Sequence, residues 1–576
     1  MKNYGLAISL LIVFLLFFSC KNDTSESQNE SSLSSGTIKY CMPEVVDTSW
    51  YSSGKKAPLF SGLEGINFPI TTKNPEAQQY FNQGLMLSYG FNHAEAARSF
   101  YEAARQDSNC AMCWWGYAYV LGPNYNAGME PDNFLKAFNA IQRAKQLSKN
   151  ATQKEKDFIN ALSSRYSDDT SQTRAVLDSL YAEKMRTLYK TYPDDVDISA
   201  LAAEALMDLH PWNIWQKDGS PQPWTMEIIT ILENTLKKFP RHAGANHFYI
   251  HAQEMSNHAE KSLASADLLR NLVPGSGHLM HMPSHTYIRI GKYHDGVIAN
   301  QRAVQVDSLY TVACHAQGVY PLAYYPHNYH FLAACATLCG ETKAAMKGAQ
   351  KTKEHANEKL LRDPAWATLQ HYYAIPWYVQ VKLGLWGEIL KSPSPADDLK
   401  YPVIIWNYAQ GMAHLAKGSL SEAKSKLKTI NHLKQDSTLK ELTIWGINSM
   451  YALSEIAFNV LSGEIAAKEK NFDHAIKFLN EAIILEDQLN YDEPPDWIFS
   501  IRHHLGAVLI DAGKYDEAIE LYQDDLKVFR NNGWALRGLM NAYEKKGERK
   551  NFESAKKRFN EAWKHADIAI STSRIL

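Results

Sequence analysis

Neither sign of charge predominates in the sequence. Lysine and arginine together number 60, aspartate and glutamate number 62, and the formal net charge of the 576-residue chain is -2. A protein that binds nucleic acid through its phosphates needs a basic surface, and a balanced chain has no long-range field to attract one. The composition therefore argues against a nucleic-acid partner.

Motifs of several large enzyme classes are also missing. The sequence has no glycine-rich phosphate loop, no serine nucleophile elbow and no dinucleotide fingerprint. It lacks His-Glu-x2-His, in which the glutamate supplies the general base of a zinc peptidase. Sustained alternation of β-branched residues is absent too, so very little sheet is expected. We expect a helical protein without catalysis of its own.

One long apolar run is present, and it lies at the N-terminus. The run from Leu6 to Phe18 is too short to span a bilayer comfortably, and Ser19 and Cys20 follow it. Residues 1–19 are interpreted as a lipoprotein signal peptide, because Phe17-Phe18-Ser19-Cys20 resembles the lipobox whose cysteine becomes acylated. The alternative is an ordinary signal peptide with a chance cysteine.

The residues after Cys20 fit a membrane anchor. Residues 20–38 are rich in Ser, Asn and Glu and are predicted to form a lipidated, disordered tether, and residues 39–72 an irregular lead-in. Lys21 is not the Asp that resembles an inner-membrane retention signal. The outer membrane is therefore the expected location. The sequence does not distinguish its periplasmic face from its surface face.

Cysteine is scarce beyond the anchor. An exported chain can form disulfides, but the sequence does not choose among the pairings. Cys110 and Cys113 are not followed by His, which argues against haem attachment, and a local disulfide, free thiols or half a metal site remain open. The remaining cysteines are Cys41, Cys110, Cys113, Cys314, Cys335 and Cys339.

The clearest internal pattern lies between His503 and Tyr522. Leu505 and Gly506 occupy first-helix positions, Gly513 lies at the turn, and Ala518 is a small residue of the second helix. This spacing resembles the tetratricopeptide repeat (TPR), a helical pair of about 34 residues with small residues where the two helices touch. Gly506 and Ala518 are expected to face each other.

The same spacing recurs along the chain and predicts the fold class. We expect residues 73–576 to form an all-α, TPR-type solenoid of helical hairpins, a superhelix with a solvated cap from Lys564 onward. The clearest repeats are predicted near residues 77–109, 110–148, 277–308, 456–488 and 499–532.

Longer passages narrow the resemblance. Gly244 to His251, His278 to Tyr287 and Glu493-Pro-Pro-Asp-Trp497 are similar to motifs of a group of exported bacterial TPR lipoproteins with no assigned activity. The chain departs from that group at Asn67, where a histidine is expected. The resemblance implies a fold and an exported location, and it implies no reaction.

An aromatic loop from His210 to Trp224 interrupts the helical pattern. Its three tryptophans, Trp212, Trp215 and Trp224, are candidates for a binding loop, because insertions in a solenoid map to one face. The alternative is a loop that packs its own aromatic rings against the helices.

Seven histidines lie between His242 and His285. His247 and His251 are one helical turn apart, and so are His281 and His285, so each pair can reach one point. Four neutral imidazoles suit Zn or Cu, and protonation near their ordinary pKa would release the ion. The alternative is a set of histidines that hydrogen-bond within a polar groove.

Three functions are consistent with these patterns. The first is a lipid-anchored TPR scaffold at the bacterial envelope that binds a partner protein, a peptide or a glycan. The second is a metal-binding or metal-dependent protein that uses the histidines between His242 and His285 for Zn or Cu. The third is an accessory lipoprotein of polysaccharide uptake or degradation.

Acylation of Cys20 can be tested by fractionation. Cys20→Ser should move the protein from the membrane fraction to the soluble fraction, because the lipobox resemblance gives the chain a single acyl anchor. Immunoblotting after a high-salt wash measures this. Cys41→Ser is the control and should stay with the membranes, and a Cys20→Ser protein that also stays there would contradict the anchor.

Overall fold

The computed structural model describes residues 48–169, 171–314 and 320–576. The predicted signal peptide, Cys20, its tether and Cys41 lie outside these residues. Helices dominate the described chain, and the sheet found there is one antiparallel pair, β1 (Thr443–Ile444) and β2 (Asn448–Ser449). The prediction of an all-α fold is confirmed.

Helices α1 to α14 form the N-terminal half. Residues 53–74, within the predicted lead-in, contain no helix or strand. The bounds are α1 Thr48–Ser52, α2 Pro75–Tyr89, α3 His93–Gln106, α4 Ala111–Val120, α5 Asn133–Leu147, α6 Gln153–Ser163, α7 Arg174–Thr191, α8 Val196–Met207, α9 Thr225–Lys238, α10 Ala243–Glu254, α11 Leu263–Leu272, α12 Gly277–His281, α13 Pro283–Ile290 and α14 Tyr293–Cys314.

Helices α15 to α27 form the C-terminal half, after a π-helical turn at Tyr320–Tyr324. The bounds are α15 Tyr325–Leu338, α16 Thr342–His355, α17 Thr368–Leu383, α18 Trp386–Lys391, α19 Lys400–Ala416, α20 Leu420–Leu433, α21 Thr438–Glu441, α22 Met450–Lys468, α23 Phe472–Gln488, α24 Arg502–Asp511, α25 Tyr515–Val528, α26 Gly533–Lys546 and α27 Arg549–Ala562.

Neighbouring helices pack in pairs, and each pair contacts the next. α2 packs on α3, α3 on α4 and α4 on α5, and α22 to α27 follow the same order. This arrangement is the predicted TPR-type solenoid, in which helical hairpins stack side by side. One of the predicted repeats differs in detail, because its first helix is divided into α12 and α13.

Small residues set the spacing of the helices. A Cβ atom at Gly506 would lie 2.3 Å from the Tyr522 ring, and one at Gly538 would lie 2.2 Å from the same ring. Tyr522 therefore fits between two first helices because both lack a side chain there. Ala518 lies one turn before Tyr522 on the same helix, and the nearest atoms to a Cβ at Gly506 belong to Tyr522.

Two large apolar clusters make up most of the core. The N-terminal cluster draws on residues from Trp50 to Tyr324, and the C-terminal cluster draws on residues from Ile288 to Ile570. Tyr287 belongs to the first and Ile288 to the second, so the clusters adjoin at α13. Polar side chains occupy that boundary, which places a polar layer in the interior.

The end of the chain folds back on the middle. The Tyr293 hydroxyl donates to the backbone oxygen of Arg530 over 2.9 Å, and Trp534 Nε1 donates to the backbone oxygen of Thr337 over 2.9 Å. Ser573 is buried and hydrogen-bonds with the Tyr522 hydroxyl over 2.6 Å. The predicted solvated cap from Lys564 therefore holds only in part, because Ile570 and Ser573 are buried while Lys564 and His565 are exposed.

Among the described residues, helices that combine the length and the apolar character needed to cross a bilayer were not found.

The close contact at Gly506 predicts that one added methyl group destabilises the fold. Gly506→Ala should lower the free energy of unfolding by about 1 to 3 kcal/mol, because the hydrogen-bonded Tyr522 ring cannot move aside. Urea denaturation followed by circular dichroism measures this. Gly387→Ala is the control, since nothing lies within 4 Å of its Cβ position, and equal stability of the two variants would contradict the packing.

Candidate functional site

Six histidines meet where the N-terminal and C-terminal apolar clusters adjoin. All except the partly buried His327 are at most 1% exposed. Four helices supply them: His247 and His251 lie on α10, His278 and His281 on α12, His285 on α13 and His327 on α15.

His247, His251 and His278 form the first histidine triad. One ring nitrogen of each lies within 4.8 Å of the others. The Nε2 atoms of His247 and His278 are 3.2 Å apart, and the Phe91 ring lies 4.6 Å from the His247 ring, centroid to centroid. The first triad is therefore a compact set of ring nitrogens, and the Phe91 ring packs against it.

His281, His285 and His327 form the second histidine triad. Their ring nitrogens also lie within 4.8 Å of one another, and the Nε2 atoms of His281 and His285 are 2.9 Å apart. Phe331 contacts the rings of His281 and His285, with centroids at 4.7 Å and 4.5 Å. The two triads thus have the same construction.

The other ring nitrogen of two histidines is fixed by an acceptor. His247 Nδ1 lies 2.6 Å from the backbone oxygen of Tyr89, which can only accept, so this nitrogen carries the proton. His281 Nδ1 lies 2.7 Å from Asn300 Oδ1, and the Asn300 amide nitrogen donates to Gly296. Both rings therefore present an unprotonated Nε2 to their triad.

One carboxylate joins the two triads. Glu254 Oε1 accepts from His251 Nδ1 over 2.7 Å, and Oε2 accepts from His285 Nδ1. Burial alone would raise the pKa of Glu254, but His285 and His251 outweigh it and hold the pKa at about 2. The ionised carboxylate holds a proton on Nδ1 of both rings, which directs their Nε2 atoms toward the triads.

Burial keeps most of these imidazoles neutral. It lowers the pKa of His247, His278, His281 and His327 well below the usual value, and neighbouring imidazoles lower it further. The pKa of His251 is also lowered by burial, against the opposing effect of Glu254. Neutral imidazole is the form that binds a metal ion.

The facing nitrogens need a cation or a shared proton between them. Nε2 of His281 and Nε2 of His285 are 2.9 Å apart, and two lone pairs at this distance would repel one another unless a proton or a cation lies between them. His251 Nε2 is buried without a hydrogen-bond partner among the described residues. Three converging imidazoles, two of which in each triad have an acceptor on the second nitrogen, suit a zinc or copper site with one open position.

A small cavity connects the triads. Its volume is about 50 Å³, and it is lined by His278 of the first triad and by His285 and His327 of the second. Aromatic rings of Trp212 and Tyr324 and the carboxyl group of Asp492 complete the wall. Any open coordination position facing it can take only a ligand of a few atoms.

One of the three predicted tryptophans belongs to this site. Trp212 lies 5.8 Å from the His251 ring, centroid to centroid, and lines the cavity. Trp215 Nε1 donates to the backbone oxygen of Ala252, and Trp224 stacks on His210 at 3.5 Å. Trp215 and Trp224 therefore hold the loop in place.

The structure brings the four predicted histidines together but divides them differently. His247 and His251 belong to one triad and His281 and His285 to the other, so the four do not share one point. The sequence analysis did not select His278, His327 or Glu254. Glu254 could have been found, because it lies three residues after His251 on the same helix face.

The four cysteines whose side chains the structure describes are not members of either triad. Cys110 and Cys113 form a disulfide, which decides among the three possibilities left by the sequence. Cys335 and Cys339 are buried free thiols, and burial raises the pKa of both. Thiols that hold their protons do not bind metal readily.

Comparison with known proteins gives structural neighbours only. No protein-family model and no curated protein matches the sequence. Human IFIT1 in a dimer with m7Gppp-AAAA is 12% identical, covers 87% of this chain and 92% of its own, and gives a TM-score of 0.30. Yeast Tom70 is 12% identical, covers 83% of this chain and 90% of its own, and gives a TM-score of 0.27. The P58(IPK) TPR domain is 11% identical, covers 82% of this chain and 99% of its own, and gives a TM-score of 0.20.

These scores are too low to carry an argument, so the class follows from the chain itself. The protein is an all-α, TPR-type solenoid, a helical scaffold with six histidines and a carboxylate buried between its two apolar clusters.

The hydrogen bonds of His247 and His281 predict their protonation. In metal-free protein at about pH 5.5, both should remain neutral with the proton on Nδ1, because burial lowers their pKa well below the ordinary value of 6.5. Nitrogen-15 NMR of histidine-labelled protein distinguishes the tautomers. His247→Gln and His281→Gln assign the signals, and charged rings or protons on Nε2 would contradict the geometry.

Proposed function

We propose that the protein binds two transition-metal ions, Zn or Cu, one at each histidine triad. The observation that carries the proposal is the convergence of three imidazole nitrogens within 4.8 Å at each triad, with Nε2 of His281 and Nε2 of His285 only 2.9 Å apart in the buried interior. A bound cation would take the place of the proton that these two nitrogens otherwise share. The same construction in the first triad supports a second ion.

The partners of the ring nitrogens support this proposal. Metal-binding histidines commonly donate their other N–H to a carboxylate or a carbonyl oxygen, which fixes the ring and raises its basicity. Glu254 serves His251 and His285 in this way, the Tyr89 carbonyl serves His247, and Asn300 serves His281. His251 Nε2 is buried without a hydrogen-bond partner among the described residues, which leaves it free to bind an ion.

The ions would add a positively charged, open coordination position to a small cavity. His278, His285 and His327 would hold them toward this space, while Trp212 and Tyr324 limit its size. The pKa values of the buried imidazoles also change one expectation. Because burial lowers them, competition by protons begins at a lower pH than the ordinary pKa of 6.5.

We place this metal-binding body at the bacterial envelope, anchored through Cys20. The lipobox resemblance, the Ser-rich tether and the similarity to exported TPR lipoproteins support an outer-membrane location. Binding of a partner protein or peptide is the second candidate function, and the stack of helical hairpins favours it. Glycan binding and an accessory role in polysaccharide use stay predictions from the sequence.

Metal analysis tests the main proposal. Protein loaded with Zn or Cu and dialysed should retain about two equivalents, and the pairs His247→Ala/His251→Ala and His281→Ala/His285→Ala should each retain about one. Glu254→Gln should weaken binding at both triads by about 10- to 100-fold, since it loses the charge that orients His251 and His285. Elemental analysis and competition with a chelator measure these quantities.

His242→Asn is the matched control. His242 is a histidine at the start of α10 that caps the helix through Nδ1 and belongs to neither triad, and Asn preserves the cap. This variant should retain two equivalents. Less than about half an equivalent in the wild type, or unchanged retention in folded triad variants, would show that the histidines are structural.

A further inference from the structure

A second cavity lies beside the metal-site cavity, and it is strongly acidic. Its volume is about 210 Å³, and seven carboxyl side chains line it against two arginines, Arg289 and Arg502. Asp492 lines both cavities. The second cavity is several times larger than a water needs, so it has room for an organic molecule of several heavy atoms.

The two arginines do not neutralise this cavity. Arg502 is committed to Asp487, with nitrogen–oxygen distances of 3.0 and 2.7 Å, and lies 3.4 Å from Glu486. The Arg289 guanidinium comes only within 3.9 Å of Glu493 and lies over the Tyr491 ring. The other carboxyl groups therefore outnumber the arginine charges that could pair with them.

Two buried carboxylate oxygens in the wall lack a hydrogen-bond donor. Glu493 is 3% exposed; its Oε1 accepts from the Tyr491 hydroxyl over 2.9 Å, while its Oε2 has no partner among the described residues. Asp525 is 1% exposed; its Oδ2 contacts Asn532 and His503, while its Oδ1 also has no partner there. Buried acceptors are normally paired, so two in one cavity point to a missing donor.

Burial also makes pairing with a cation favourable for the carboxyl groups of this cavity. It raises the pKa of Glu486 to about 8 and that of Glu493 to about 7, so near neutrality the empty cavity retains protons on these groups. A cation would replace those protons and pair with the carboxylates. Trp497, Phe529 and Tyr491 also line the cavity and offer apolar surface to a hydrocarbon chain.

We propose that the acidic cavity binds a primary ammonium group on a short hydrocarbon chain. An ammonium is a compact charge with three donors, which suits separate acceptors on Glu493 and Asp525. A planar guanidinium is suited instead to two oxygens of one carboxylate. The ligand is either a free alkyl diamine or the lysine side chain of a peptide, and the inference does not depend on metal binding.

Calorimetry with the full-length protein tests this inference. 1,4-Diaminobutane and n-butylamine should bind saturably, whereas n-butanol and butyrate, which lack the cation, should not. An unstructured lysine-containing peptide is compared with its acetyl-lysine form. Selective binding of the unmodified peptide identifies a peptide ligand, and binding of the diamine alone identifies a free amine.

Variants of the wall decide whether the binding is at this cavity. Glu493→Gln keeps the side-chain shape and should weaken amine binding about 10-fold or more, because a charged hydrogen bond is lost. Asp525→Asn should also weaken amine binding. If the Asp525 variant does not fold, the affinity of Glu493→Gln decides whether the amine binds at this cavity. Glu517→Gln, an exposed change on the same helix α25, is the control. Absence of saturable binding, equal binding of n-butanol, or unchanged affinity of Glu493→Gln would overturn the inference.

Discussion

The carboxylate of Glu254 lies between the two histidine triads and accepts a hydrogen bond from each. Burying polar rings is unfavourable unless their nitrogens are hydrogen-bonded. Glu254, the Tyr89 carbonyl and Asn300 together supply that bonding from α10, α2 and α14. Because each acceptor fixes one nitrogen, the opposite nitrogen of every bonded ring is directed inward. The imidazole rings between the apolar clusters therefore have fixed orientations. Hydrophilic side chains without such hydrogen bonds would not be fixed in this way.

The C-terminal repeats contribute to this region although they are distant in sequence. In an open solenoid each repeat contacts only its neighbours. Here Tyr293 bonds to Arg530 and Thr337 to Trp534, and the acidic cavity has walls from α13, α23, α24 and α25. Asp492, on the segment between α23 and α24, reaches both cavities. Closure of the stack thus creates two adjoining sites that no single hairpin contains.

Local features were predictable from the sequence, and long-range ones were not. The hairpins follow from small residues such as Gly506, and the pairs His247/His251 and His281/His285 follow from one-turn spacing. His327 comes from α15 and Asp492 from a distant loop, so only the tertiary fold brings them to the triads. Tyr89 contributes a backbone oxygen, which any residue would have, so its role has no signature in the sequence. Tyr522 was assigned to its repeat, but its contact with two glycines depends on the adjacent hairpin.

The unequal burial of the histidines has a consequence for the order of metal exchange. His327 is the one triad member in the described chain with partial exposure, whereas the three rings of the first triad are at most 1% exposed. In the proposed two-ion protein, an ion arriving from solvent would meet His327 first, and it would reach the first triad through the small cavity that His278 lines or by local opening of the fold. The ion at the first triad would therefore exchange more slowly than the ion at the second.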